Sequence, residues 1–290
     1  MLSVTTVGAI SHIRLKKEKS MIDISTIDYS AFDQPAILDI LFHPRPDESA
    51  ISPTDLTEEF LIPVDDGNVI DAKLHRSDPK APTILFFHGN GEIAADYNPL
   101  GPIFASIGIN LMPVDYRGYG RSSGTPSATT MMKDCHMILK FTRNWLADNG
   151  FKGPLVIMGR SLGSASALEL AAQYPDIIDG LIVESGFAYA LPLLERLGAD
   201  LQRMQLREEN GFSNLDKIKR FEGPTLIIHA EFDHIIPFSD GRDLFDACPA
   251  REKKLLKIKQ ADHNTIFTFG MREYLEAIRN LMQTIKASTK

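Results

Sequence analysis

Cysteine is almost missing from this chain: Cys135 and Cys248 are the two thiols in 290 residues. Two cysteines make no disulfide framework, and sparse thiols suit a reducing compartment, so a cytoplasmic location is expected. Basic charge is in deficit, with 31 Lys and Arg against 38 Asp and Glu and a net charge of −7. That balance argues against a nucleic-acid partner, which demands a basic face, and leaves a small-molecule partner open. Long apolar runs are missing as well. The longest uncharged stretch, Tyr97 to Val114, is broken by Asn98, Pro99, Gly101, Pro102, Asn110 and Pro113. No helix excluding water would carry that set, so no integral membrane association is expected. A secretory leader is not evident, because the apolar residues precede the basic cluster Arg14, Lys16, Lys17 and Lys19, the reverse of the secretory order. Met21 follows that cluster, and residues 1–20 read as an extension. Repeats and low-complexity tracts are not found.

What remains is ordinary globular composition, 43% hydrophobic and 24% charged. A single domain over 1–290 accommodates this length. From about residue 58 strand-like and helix-like segments alternate, the pattern of a mostly parallel sheet with helices on both faces. Glu59–Val64 and Val69–His75 flank Asp66-Gly67, a hairpin signal. Thr83–Phe87, Ile109–Val114, Leu155–Met158, Leu181–Val183, Thr225–Ile228 and Lys254–Ile258 are short apolar runs of the kind buried on both sides. Helical spacing marks Ala128–Asp148, Ser161–Tyr174 and Thr265–Ile285, with a short helix expected at Ala36–Phe42. One interval breaks the rhythm. Residues 184–224 are too many for a plain crossover and carry an amphipathic stripe at Leu193, Leu197, Leu201 and Met204. They read as a small helical lid inserted between core segments at about 58–183 and 225–290, with 1–57 as an N-terminal extension.

The sharpest chemical signal is Gly159-Arg160-Ser161-Leu162-Gly163, a G-x-S-x-G sequence between a strand and a helix. That context puts a serine on a tight turn at the sheet edge, beside a helix N-terminus that favours negative charge. A hydroxyl is a poor nucleophile until a base takes its proton, and the base needs a carboxylate to hold its tautomer. In the order Ser, acid, His, the loop after Thr225–Ile228 offers Asp233 and the loop after Lys254–Ile258 offers His263. Glu231 and Glu184 compete for the acid's role, and a solvated loop histidine is the bland alternative for His263. Backbone N–H groups supply an oxyanion hole, one from Leu162 and one from the loop His88-Gly89-Asn90-Gly91-Glu92, with Asn90 first and Gly91 second. His88 reads as a structural hydrogen-bonder. Leu201 and Met204 are the candidates for substrate binding, roofing an acyl pocket above Ser161.

Together with Asp115-Tyr116-Arg117-Gly118-Tyr119-Gly120-Arg121-Ser122, these motifs resemble the α/β-hydrolase superfamily, more narrowly its Bem46-like and ABHD-type serine hydrolases. The resemblance covers roughly residues 58–285. It implies that the Asp115–Ser122 loop walls the active site; Ala230 departs from the glycine usual before the acid. The expected activity is hydrolysis of a small or medium acyl ester or thioester through an acyl-enzyme, with no cofactor and no metal. Peptidase or amidase action on the same fold, and a non-catalytic interaction protein, are the alternatives. A further rival is metal binding by His229-Ala230-Glu231-Phe232-Asp233-His234, an H-x-E-x-D-H pattern. Its motif lacks the further downstream histidines such a centre needs.

Overall fold

A computed structural model describes residues 27–48 and 56–288; the basic cluster and the extension proposed for residues 1–20 lie outside them. The described residues form an eight-stranded sheet: β1 (Thr57–Pro63), β2 (Val69–His75), β3 (Thr83–Phe87), β4 (Asn110–Val114), β5 (Leu155–Arg160), β6 (Gly180–Glu184), β7 (Thr225–Ala230) and β8 (Lys253–Ile258). The strand order is β1-β2-β4-β3-β5-β6-β7-β8. β1 and β2 form an antiparallel hairpin and β2 pairs antiparallel to β4, while every pairing from β4 through β8 is parallel.

The parallel strands are apolar runs because both of their faces are covered. Successive residues of a strand point to opposite sides. Leu85, Phe87, Ile157, Val183 and Ile227 enter one apolar layer, and Ile84, Phe86, Val156, Met158, Ile182 and Leu226 enter the other. Complete burial of such a side chain contributes about 1.5–3 kcal/mol, so alternation alone commits the central strands to the middle of three layers. The first layer is packed by α3 (Ala128–Asp148) and α4 (Ser164–Gln173); the second by α2 (Gly101–Ser106) and α9 (Ile266–Ser288). Ser127 starts α3 with a capping box to Thr130, which satisfies donors that no helical carbonyl can reach.

Elsewhere α1 (Pro35–Leu41) precedes the sheet, and α8 (Phe238–Ala247) bridges β7 and β8. The interval between β6 and β7 holds three short helices, α5 (Ala190–Arg196), α6 (Leu201–Met204) and α7 (Asn214–Ile218). α7 packs on α4 and α8, and Ile218 and Phe221 are completely buried there. Two expectations shift. The helix predicted from Ser161 opens as a 3-10 turn, Ser161–Gly163, before α4 begins, because Ser161 holds a left-handed φ of 50° that an α-helix forbids. The stripe Leu193 to Met204 is not one helix either: Gly198, at φ 100°, separates α5 from α6 and turns the second half away.

Candidate active site

Three loops meet at the C-terminal edge of the parallel sheet. Ser161 follows β5 directly, Asp233 lies between β7 and α8, and His263 lies between β8 and α9. Ser161 reaches the edge because Gly159 and Gly163, two residues to either side, have no side chains. A Cβ on Gly159 would run into the Gly163 carbonyl, and a Cβ on Gly163 into the Phe87 carbonyl at the end of β3. The left-handed backbone at Ser161 costs about 1–2 kcal/mol, a local strain of the kind concentrated at functional sites.

Sequence-distant side chains converge here. His263 Nε2 is 3.0 Å from Ser161 Oγ, and His263 Nδ1 is 2.7 Å from Asp233 Oδ2. A carboxylate can only accept, so Nδ1 carries the proton toward Asp233 and Nε2 offers its lone pair to the serine hydroxyl. All three residues are buried. Asp233 is held twice more, its Oδ1 accepting the N–H groups of Ile235 at 3.1 Å and Ile236 at 2.8 Å. Burial works to raise its carboxyl, but the His263 hydrogen bond, the His263 charge and the Ile236 N–H outweigh it and hold the group below its ordinary value.

The competing acids are otherwise engaged. Glu184, the last residue of β6, accepts from Arg160 Nε at 3.1 Å and from the Tyr274 hydroxyl at 2.6 Å. Glu231 accepts from the Gln260 N–H at 3.1 Å and from Lys257 Nζ at 3.3 Å. The H-x-E-x-D-H residues are thereby split. His229 Nε2, though 3.6 Å from Asp233, donates to the Ile236 carbonyl at 2.8 Å. Among the described residues no group of three or more His, Cys, Asp and Glu side chains is placed to hold a metal. His88 is buried, linking Asp115 Oδ1 at 3.0 Å to the Gly89 carbonyl at 2.8 Å.

A cavity of about 250 Å³ opens over Ser161 and His263. Asn90 and Leu162, the two residues expected to supply oxyanion donors, both line it. Leu162 stands in the first turn after the elbow, where N–H groups have no helical partner. The side chain of Asn90 anchors its loop, accepting the His43 N–H at 2.7 Å and the Tyr119 hydroxyl at 2.9 Å. The apolar walls come from Ile40 and Leu41 of α1, Leu193 of α5, Leu197 just beyond it, and Ile235 and Ile236 after Asp233. Leu201 and Met204 are not among the lining residues; they are half-buried and pack against the main apolar layer. Gly198 breaks the helical line between Leu197 and Leu201. The wall from α1 was not foreseen, and its only signal was an apolar helix ahead of the sheet, which carries no address.

Comparison with known proteins agrees with this architecture. A family described as "Serine aminopeptidase, S33" matches residues 78–205. Alpha/beta hydrolase domain-containing protein 17B of Homo sapiens is 32% identical, the match covering 79% of this chain and 76% of that protein; its Xenopus tropicalis counterpart matches to the same extent. An esterase of Pyrococcus furiosus superposes with a TM-score of 0.68 at 18% identity, covering 83% of this chain and 98% of that one. Est1E of Butyrivibrio proteoclasticus, with ferulic acid bound, gives 0.62 at 21% identity, covering 77% and 97%. The fold and its site edge define an α/β hydrolase. The chain belongs to that family, among its domain-containing ABHD-type members. Among the described residues no helix is long and apolar enough to cross a membrane.

Proposed function

We propose that this protein is a serine hydrolase that cleaves an ester or thioester of a small to medium acyl group. Ser161 attacks the acyl carbonyl while His263 takes its proton. Asp233 holds the imidazole in the required tautomer and stabilises its cation. The N–H groups of Asn90 and Leu162 receive the oxyanion. His263 then returns the proton to the departing alcohol or thiol, and water, deprotonated by the same imidazole, hydrolyses the acyl-enzyme. No cofactor enters this scheme. The observation that carries the reading is the chain of contacts Ser161 to His263 at 3.0 Å and His263 to Asp233 at 2.7 Å.

The pocket favours acyl groups over peptides with a free amino terminus. An aminopeptidase must pair the substrate's ammonium with a carboxylate, and among the described residues no Asp or Glu lines this cavity. Six aliphatic side chains, from Ile40, Leu41, Leu193, Leu197, Ile235 and Ile236, supply an apolar wall instead. The esterase and lipase names among the structural relatives point the same way. Residues about 184–224 act as the lid over this pocket, through Leu193 and Leu197. The test is a fluorophosphonate probe with mass spectrometry of the adduct, followed by a series of p-nitrophenyl esters of rising chain length. A covalent adduct on Ser161 and turnover of short and medium esters are expected. Absence of any adduct on correctly folded protein would return the non-catalytic reading.

A further inference from the structure

Arg160, the residue before Ser161, is buried at 8% exposure. A guanidinium there is expensive to desolvate and persists only with complete pairing. Its pairing spans three segments. Nε donates to Glu184 Oε1 at 3.1 Å, at the end of β6, where the register sets the two residues side by side. Nη1 donates to Glu92 Oε1 in the loop after β3. Nη2 donates to the backbone carbonyl of His263 at 2.8 Å and to Asn264 Oδ1 at 3.3 Å.

The second oxygens of both carboxylates extend the network. Glu92 Oε2 accepts the Gly89 N–H at 2.7 Å and the Tyr97 hydroxyl at 2.7 Å. Glu184 Oε2 accepts from Tyr274 of α9 at 2.6 Å. One side chain therefore reaches the loop that carries Asn90, on one side, and the backbone of His263 itself, on the other. Its own backbone leads into Ser161. Resting on the serine-hydrolase reading above, we propose that Arg160, braced by Glu92 and Glu184, is a positioning residue that fixes the His263 loop and the His88–Glu92 loop relative to Ser161.

The arrangement has features that packing alone does not require. A guanidinium with five donors in a fixed plane can bond a carbonyl and two carboxylates at once, which an ammonium cannot do at these positions. The bond to His263 is made to its carbonyl, so it sets where the imidazole starts from without taking either ring nitrogen. Both ring nitrogens stay available for Ser161 and Asp233. Burial raises the Glu184 carboxyl, while at Glu92 burial is outweighed by the Arg160 and His88 charges and the group is held below its ordinary value. Glu92 meets the cation on the side of the Asn90 loop.

The experiment compares wild type with Arg160→Met, Arg160→Lys and Glu92→Gln on one p-nitrophenyl ester. Molar amounts come from active-site titration and folding from melting curves. Displacement of a reacting group by about 1 Å costs on the order of 10²-fold in rate. Arg160→Met should therefore lower kcat and the rate of fluorophosphonate labelling by roughly 10- to 100-fold. KM should change much less than kcat, because the six aliphatic side chains of the acyl wall are untouched, although Arg160 itself borders the cavity. Arg160→Lys should recover part of kcat, and Glu92→Gln should lose less than Arg160→Met. A role confined to stability would lower the melting temperature and leave kcat per folded molecule unchanged, which overturns the proposal. If Arg160→Met does not fold, Arg160→Lys decides: reduced kcat at full folding supports positioning, and retained kcat overturns it. Failure of folded wild type to label would bring down the serine-hydrolase reading, a result separate from wild-type labelling with indifferent Arg160 variants.

Discussion

Asp233 divides its two carboxylate oxygens between different tasks: Oδ2 accepts from His263 Nδ1 at 2.7 Å, and Oδ1 accepts the N–H groups of Ile235 and Ile236. An amide at this position keeps one acceptor but replaces the other with a donor. Asp233→Asn should hold the loop through Ile235 and Ile236 while losing the acceptor that fixes the imidazole tautomer. Ester turnover should fall by about 10⁴-fold, with a melting temperature within a few degrees of wild type. Steady-state kinetics and a melting curve on the same preparation check this. Wild-type kcat in the variant would reassign the acid.

Ser161 sits at φ 50° with a side chain, where glycine would be at ease. Ser161→Ala and Ser161→Gly should both lose labelling and about 10⁴-fold or more of activity. They should differ in stability. Glycine relieves a left-handed strain of about 1–2 kcal/mol but adds unfolded-chain entropy worth about 0.4–1 kcal/mol. Ser161→Gly should therefore be the more stable of the two by roughly 0.5–1 kcal/mol, measurable by urea denaturation. Equal stabilities would mean that the turn relaxes in solution.

Leu197 lines the cavity and is 42% exposed, whereas Met204 packs elsewhere. Leu197→Trp should narrow the acyl space and shift preference toward acetyl and butyryl esters, with acetyl turnover nearly intact. Met204→Trp should leave the chain-length profile as it was. A shift caused by Met204→Trp and not by Leu197→Trp would place the acyl group over α6.

His75 gives the fold an acid sensitivity separate from the site. Burial, aided by the Lys73 charge, lowers its pKa from 6.5 to about 4. The folded protein thus resists a proton that the unfolded chain accepts. The stability associated with the neutral imidazole is fully present above about 6.5 and is lost as pH falls toward about 4. The loss is on the order of 3 kcal/mol at most. Denaturation at pH 7.5 and pH 5 should show the drop in wild type and a smaller one in His75→Gln. Equal drops would assign the sensitivity to other groups.

The sheet was legible because burial on both faces writes itself as short apolar runs, and Thr83–Phe87 matches β3 at both ends. Ala128–Asp148 was equally plain from its helical spacing, and α3 has the same bounds. The positions of Ser161, Asp233 and His263 at strand ends followed from the same pattern. Other features left weaker traces. α8 is a ten-residue helix with Gly241 inside it, and α2 lies within a run broken by prolines, so neither is among the helices expected from the sequence. The stripe from Leu193 to Met204 has good spacing, yet spacing does not reveal that Gly198 takes a positive φ and ends α5's line. The partners of Arg160 come from positions 92, 184 and 263. Such long-range pairing depends on strand register, which the local pattern does not encode.

The separation of 102 residues between Ser161 and His263 also has a meaning in time. A ribosome adds about 5–20 residues per second, so the serine emerges roughly 5–20 s before the histidine. During that interval the nascent chain can pair β3, β4 and β5 and form the elbow. Its hydroxyl nevertheless has no imidazole beside it. On the proposed roles, the growing polypeptide carries an unarmed serine past every thioester and ester in its surroundings. Reactivity arrives only when β8 has added to the sheet edge and brought the last loop into place. On those roles, synthesis order leaves the serine without its base until the sheet is complete.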